Sequence, residues 1–117
     1  MNDGLGRARD LLAAERERTE VRLAALQRDF DGIVSSAGAA ADDEHDPEGS
    51  STAFDRQHVA ALIVQARDHL TAIARAAARL ENGSYGTCER CGRPIGPERL
   101  AARPAAATCI NCASVAT

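Results

Sequence analysis

Aromatic residues are scarce in this sequence of 117 residues, which contains no Trp, one Tyr and two Phe. Because aromatic side chains supply much of the area that a globular core buries, this scarcity argues against a thick core. Lysine is absent as well, so all 14 basic residues are arginine. No apolar run approaches the roughly 20 residues that a membrane-spanning helix needs, and no membrane partner is expected.

Signals for export and for catalysis are also missing. The first residues, Met-Asn-Asp-Gly-Leu-Gly-Arg, hold no basic patch followed by an apolar run of signal-peptide length, which predicts a cytoplasmic protein. No nucleophile with a neighbouring base and no phosphate-binding glycine loop is present, so we expect no enzyme activity. The net charge of −3 argues against general binding of duplex nucleic acid, which depends on a basic surface.

Four cysteines do stand out near the C-terminus, arranged as two C-x-x-C pairs: Cys88, Cys91, Cys109 and Cys112. Two such pairs complete the closed, tetrahedral four-thiolate shell of a structural Zn²⁺ site, which leaves no open position for substrate. Gly92 directly follows the first pair and allows the backbone to turn tightly around the metal. The alternatives are two disulfides, which need an oxidising compartment, and a redox-active pair, which would sit among alternating strands and helices.

Two long helices are predicted before the cysteines, at about residues 3–34 and 53–81. The second has apolar or small residues alternating three and four apart, which is a coiled-coil pattern; these are Val59, Leu62, Ala66, His69, Ile73, Ala76 and Leu80. The first has a similar stripe, formed by Leu5, Ala8, Leu12, Thr19, Leu23, Leu26, Phe30 and Ile33. We therefore predict a mainly α protein, an antiparallel two-helix coiled-coil hairpin (residues 1–82) with a C-terminal C4 zinc-finger module (residues 83–117).

The predicted turn of this hairpin, at about residues 35–52, is rich in acidic residues. Five carboxylates fall within seven positions, namely Asp42, Asp43, Glu44, Asp46 and Glu48. A solvated acidic loop explains such a run by itself. Contact of these side chains with a partner is the functional interpretation.

The segment around the cysteines resembles the DksA/TraR zinc-finger family. The resemblance includes Tyr85-Gly86 before the first pair, Arg99-Leu100 between the pairs and Arg103-Pro104 before the second. It implies a bacterial regulator that binds RNA polymerase directly rather than a specific DNA sequence, with the coiled-coil tip in the secondary channel, modulating initiation. It also implies guanosine tetraphosphate as a candidate ligand at the shared interface, and we expect a monomer.

Family members often carry Asp-x-x-Asp-x-Ala at the tip. Here Asp43 and Asp46 fit this pattern, whereas Glu48 replaces the alanine and Pro47 changes the turn. Three other interpretations stay open: a structural coiled-coil adaptor with a zinc clamp, a zinc ribbon that binds nucleic acid, and a thiol sensor that releases zinc on oxidation.

Overall fold

The computed structural model describes residues 3–40 and 48–115, and it confirms a mainly helical fold. Two long helices, α1 (Asp3–Ala40) and α2 (Glu48–Asn82), are followed by two short ones, α3 (Pro97–Ala102) and α4 (Ile110–Val115). Over the described residues, the only strand-like pairing is a single bridge between Thr87 and Pro94. No described helix has an apolar stretch long enough to cross a membrane.

Both long helices extend into the segment that was predicted to be a loop. α1 continues past the predicted end at Val34 to Ala40, and α2 begins at Glu48 rather than at Ala53. The predicted ends were therefore wrong. Residues 35–40 include three alanines and no proline, and alanine has the highest intrinsic helix propensity, so the small residues that suggested a turn extend the helix instead.

The described chain forms two compact units. The first unit joins Met1–Arg18 to His69–Thr117, and the second unit is Thr19–Asp68. The core of the first unit is small and is made by both long helices, from Ala8, Leu12, Ile73, Ala76 and Leu80. The domain boundary after residue 82 stays a prediction.

Burial follows the predicted seam over most of its length. Ala66, Ile73, Ala76 and Leu80 are buried, as the three-and-four spacing requires. Between the predicted positions Val59 and Ala66, however, the buried residue is Ile63, while the predicted Leu62 is half-buried. Leu5 of the first stripe is 46% exposed. It lies one turn before Arg9, whose guanidinium is 3.8 Å from Glu81 in the last turn of α2, so α1 continues there beyond the end of the facing helix.

The C-terminus of α2 ends in a glycine cap. Gly83 has a φ of 83°, a left-handed conformation that glycine adopts without steric cost. The backbone N–H groups of Ser84 and Tyr85 donate to the carbonyl oxygen of Arg79, at 3.0 and 3.1 Å. The first of these is the six-to-one hydrogen bond of a Schellman motif. This cap turns the chain out of α2 and into the cysteine-containing segment.

A polar pair joins the two helices inside the first unit. Nε2 of His69 donates to Oε1 of Glu15 at 2.9 Å, and Arg18 hydrogen-bonds the other carboxylate oxygen. The hydrogen bond from His69, followed by that from Arg18, lowers the pKa of Glu15 below its ordinary value of 4.5. The predicted seam position of His69 is thus filled by a residue with a partner on the facing helix.

We expect this pair to make stability depend on acid. Because the folded-state pKa of Glu15 is depressed, its contribution is fully present above pH 4.5 and is lost as the pH falls through the lower folded value. Glu15→Gln should flatten the fall in melting temperature between neutral pH and strongly acidic pH. Glu17→Gln, a change at an exposed position of the same helix, is the control and should keep the wild-type slope. Equal slopes for all three proteins would contradict the assignment.

Candidate metal centre

The first cysteine pair lies in a tight turn that the backbone closes on itself. The N–H of Cys88 donates to the carbonyl of Arg93 at 2.8 Å, and the N–H of Gly92 donates to the carbonyl of Cys88 at 3.0 Å. Gly92 has a φ of 75°, so the expected need for glycine after the first pair is confirmed. The turn brings the side chains of Cys88 and Cys91 to the same side of the loop.

The second pair is positioned by the start of α4. Cys109 immediately precedes this helix and Cys112 lies in its first turn. The backbone N–H of Cys112 donates to the sulfur of Cys109, much as a helix N-terminus binds a capping side chain. A hydrogen bond of 2.9 Å from the N–H of Glu89 to the carbonyl of Ala107 joins the two pairs.

All four predicted zinc ligands come together. Their sulfur atoms lie within 4.8 Å of one another, and no other group of three or more potential ligands is found among the described residues. The sulfurs of Cys91 and Cys109 are 3.7 Å apart. Tetrahedral coordination with Zn–S bonds of about 2.3 Å requires an edge of about 3.8 Å, whereas a disulfide bond is about 2.05 Å long. The donor set therefore fits Zn²⁺, and none of the four cysteines is in a disulfide.

The thiols differ in how readily they ionise. Burial opposes ionisation of Cys88, but backbone hydrogen bonds, that from Cys109 first, outweigh it and lower its pKa to about 6. The hydrogen bond from the Cys112 backbone also lowers the pKa of Cys109. Hydrogen bonds to the sulfurs of Cys109 and Cys88 raise the pKa of Cys112 to about 12. Thiols that coordinate a metal are deprotonated, so all four cysteines would be thiolates if Zn²⁺ were bound.

A small apolar cluster covers one side of the cysteines. Ile95 is buried against Cys88 and Cys109, with Leu100 and Ala106 packed beside them. Cys91 remains exposed. With four sulfur donors converging on one point, the site leaves no position for a reacting water, and the metal it suits is a structural one.

Tyr85 joins this module to the core of the first unit. Its ring packs against the buried residues of α1 and α2, and its hydroxyl donates to the carbonyl of Pro104 at 2.8 Å. Burial raises the pKa of Tyr85, while the charge of Arg79 opposes the rise. The single tyrosine of the sequence is therefore a packing residue at the junction.

Two arginines have roles that the sequence did not reveal. Arg79 on α2 is only 8% exposed, and its Nη2 donates to the carbonyl of Thr87 at 2.6 Å. Nε of Arg99 donates to the carbonyl of Thr108 at 2.9 Å. Arg79 directly precedes the seam residue Leu80, so the heptad pattern indicates that it lies beside the core. The pattern does not indicate which carbonyl it binds.

The predicted tip residues are not tested by the structure. Asp42, Asp43, Glu44 and Asp46 lie outside the described residues, and Glu48 is the first residue of α2. Their role as a partner-contacting group stays a prediction.

The fold and the cysteine cluster define a class, namely mainly helical proteins with a C4 zinc finger and one structural Zn²⁺. Residues 83–117 match the prokaryotic dksA/traR C4-type zinc finger. This match covers 35 of the 117 residues and identifies that segment as a zinc finger of the dksA/traR type.

Curated relatives match part of the chain. The chain is 38% identical over 66 residues to the protein YteA of Bacillus subtilis, covering 56% of this chain and 28% of YteA. It is 48% identical over 50 residues to the RNA polymerase-binding transcription factor DksA of Caulobacter vibrioides, covering 39% of this chain and 35% of that protein. The matched segments thus span about a third of these relatives or less.

A solved structure extends the likeness to nearly the whole chain. The transcription factor DksA2 from Pseudomonas aeruginosa superposes with a TM-score of 0.63 at 28% sequence identity. The match covers 96% of this chain and 81% of that one.

Proposed function

We propose that this protein is a cytoplasmic, non-enzymatic regulator that binds RNA polymerase directly and modulates initiation. The observation that carries the proposal is the likeness of fold to a solved transcription factor over 96% of the chain, beside the match of residues 83–117 to the dksA/traR C4-type zinc finger. Relatives that match part of the chain are named RNA polymerase-binding transcription factors. The zinc in this proposal is structural and takes no part in chemistry.

The proposed mode of binding places the tip of the helical pair in the secondary channel of the polymerase. A helix of 38 residues, the length of α1, is about 57 Å long at ~1.5 Å per residue. In this mode of binding, the helices enter a channel that excludes a globular domain.

The tip carboxylates are the proposed effectors. Asp43 and Asp46 match the acidic positions of the family pattern, and carboxylates near the catalytic magnesium would change the local electrostatics. Their effect would be a shift in the populations of promoter complexes, with no bond made or broken. In this proposal the protein acts as a monomer without reading DNA sequence, and guanosine tetraphosphate is a candidate ligand at the shared interface.

The test separates binding from effect. Purified core RNA polymerase is titrated with the wild-type protein and with the Asp43→Asn, Asp46→Asn double variant, and transcription is then measured on a set of promoters. We expect both proteins to bind with affinities within about threefold, since the charges are lost only at the tip, and the double variant to lose most of its effect on transcription. Asp29→Asn with Asp31→Asn removes two exposed carboxylates from α1 and should leave the effect unchanged.

Each failure has a distinct meaning. If the wild-type protein has no affinity for the polymerase, the proposal is wrong and an adaptor role for the helices becomes the better explanation. If binding is normal but both double variants have the same effect on transcription, the protein is still a polymerase-binding regulator and the tip mechanism is rejected. Strongly salt-dependent retention of DNA or RNA would favour the nucleic-acid interpretation instead.

A further inference from the structure

The same contact occurs twice at the metal centre. Cys88 and Cys109, the first cysteines of the two pairs, each follow a threonine, Thr87 and Thr108. The carbonyl oxygen of each threonine accepts a hydrogen bond from an arginine outside the pair, from Arg79 at 2.6 Å and from Arg99 at 2.9 Å. Each arginine thus binds the peptide group that leads directly into a ligand.

The two clamped cysteines are also the two buried ones. Cys88 is 2% exposed and Cys109 is 7% exposed, whereas Cys91 is exposed and Cys112 half-buried. A buried ligand can reach the metal only if its backbone is held in one place, because its surroundings allow few rotamers. Fixing the preceding carbonyl restricts this backbone directly.

Arg79 contacts the residues on both sides of Cys88. Besides its bond to Thr87, its Nη1 lies 3.5 Å from Oε1 of Glu89, the residue after Cys88. Its own carbonyl accepts the N–H groups of Ser84 and Tyr85. The side chain of Arg79 therefore contacts both neighbours of Cys88, while its main-chain carbonyl caps α2. Arginine suits this position because it stays protonated and donates several hydrogen bonds in a fixed geometry.

We propose that Arg79 and Arg99 are positioning residues of the zinc site, which hold the two buried ligands in place and slow the release of the metal. Outer-shell partners of metal ligands typically change metal affinity by about 10- to 100-fold when they are removed. The effect should be largest at Arg79, which contacts both neighbours of its cysteine.

The test measures zinc release from the full chain. Zinc-loaded wild type, Arg79→Met and Arg99→Met are mixed with an excess of a chromophoric chelator, and the rate of zinc transfer is followed. We expect transfer to be faster by about tenfold or more in both variants. Two exposed arginines supply matched controls: Arg75→Met removes a residue that also approaches Glu89, at 3.6 Å, and Arg103→Met removes a neighbour of α3. Both controls should stay within twofold of wild type.

A second readout separates ligand positioning from loss of stability. Cobalt(II) bound to four thiolates has visible absorption bands that depend on the ligand geometry. The bands of the cobalt-loaded proteins should shift or broaden in the Arg79 and Arg99 variants. Leu12→Ala, which destabilises the core of the first unit away from the metal, should leave them unchanged.

The proposal fails if zinc transfer in both arginine variants matches that of the controls and their cobalt spectra match wild type. If Arg79→Met does not fold, Arg99→Met decides, together with Arg79→Lys. The lysine variant keeps the charge but loses the planar fork, so we expect it to release zinc at a rate between those of wild type and Arg99→Met. A wild-type rate in both of these variants would also overturn the proposal.

Discussion

Removal of zinc is expected to abolish the ordered structure of residues 83–115 and to weaken the first unit. Outside the cysteines, the buried apolar side chains of this segment amount to little more than Ile95. Structural zinc contributes an apparent ~10–16 kcal/mol of binding free energy in small zinc-binding peptides, which is folding free energy when the site is absent from the unfolded chain. An apolar cluster as small as the one around Ile95 cannot replace the folding free energy that zinc binding contributes.

The chain carries its own probe for this measurement. Tyr85 is the only tyrosine and there is no tryptophan, so fluorescence excited at the tyrosine band reports the junction between α2 and the module. We expect a chelator to change this emission and to lower the melting temperature measured by circular dichroism, and Cys88→Ser to show the same changes without chelator. Added Zn²⁺ should restore the wild-type signals, whereas Mg²⁺ should not, because the site offers only sulfur donors. Unchanged emission and melting in the presence of chelator would show that the metal does not support the fold.

The metal site was predictable from sequence because its information is local. Spacing within each C-x-x-C pair fixes two ligands, and Gly92 supplies the turn directly after the first pair, so only the meeting of the two pairs depends on the fold. The seam of α2 was predictable for a similar reason, since Ala66, Ile73 and Ala76 follow the period of the helix itself. Family residues beyond the cysteines strengthened the same conclusion.

What the sequence did not reveal depends on contacts between distant residues. Arginine side chains are almost always exposed. The burial of Arg79 depends on the carbonyl of Thr87, eight positions later, and no periodic pattern in the sequence predicts that contact. Glu15 lies in a run of mixed charges that predicts a solvated face, yet its partner His69 comes from the facing helix. The helix ends near residues 40 and 48 were not predicted because small residues occur both in turns and in helices.

The core of the first unit should be sensitive to a single substitution at Ile73. This side chain is 2% exposed, and two of the other four residues of its cluster are alanines. Truncation of a buried Ile to Ala typically costs about 2–5 kcal/mol, since the lost transfer free energy is joined by the cost of the cavity. With so few large side chains in the cluster, we expect Ile73→Ala to fall in the upper half of this range. Denaturant titration of the zinc-loaded protein, followed by circular dichroism, measures the change.

Val64→Ala is the matched control for this prediction. Val64 is a β-branched residue on the same helix, but it is 54% exposed. Both substitutions replace a β-branched residue by alanine and so gain a similar helix propensity, which leaves burial as the main difference between them. We expect the control to change the free energy of unfolding by no more than about 0.5 kcal/mol. Similar losses for both variants would mean that the helix pair is held by the propensity of its helices and by the zinc module, and that the Ala-rich seam contributes little to the stability of the fold.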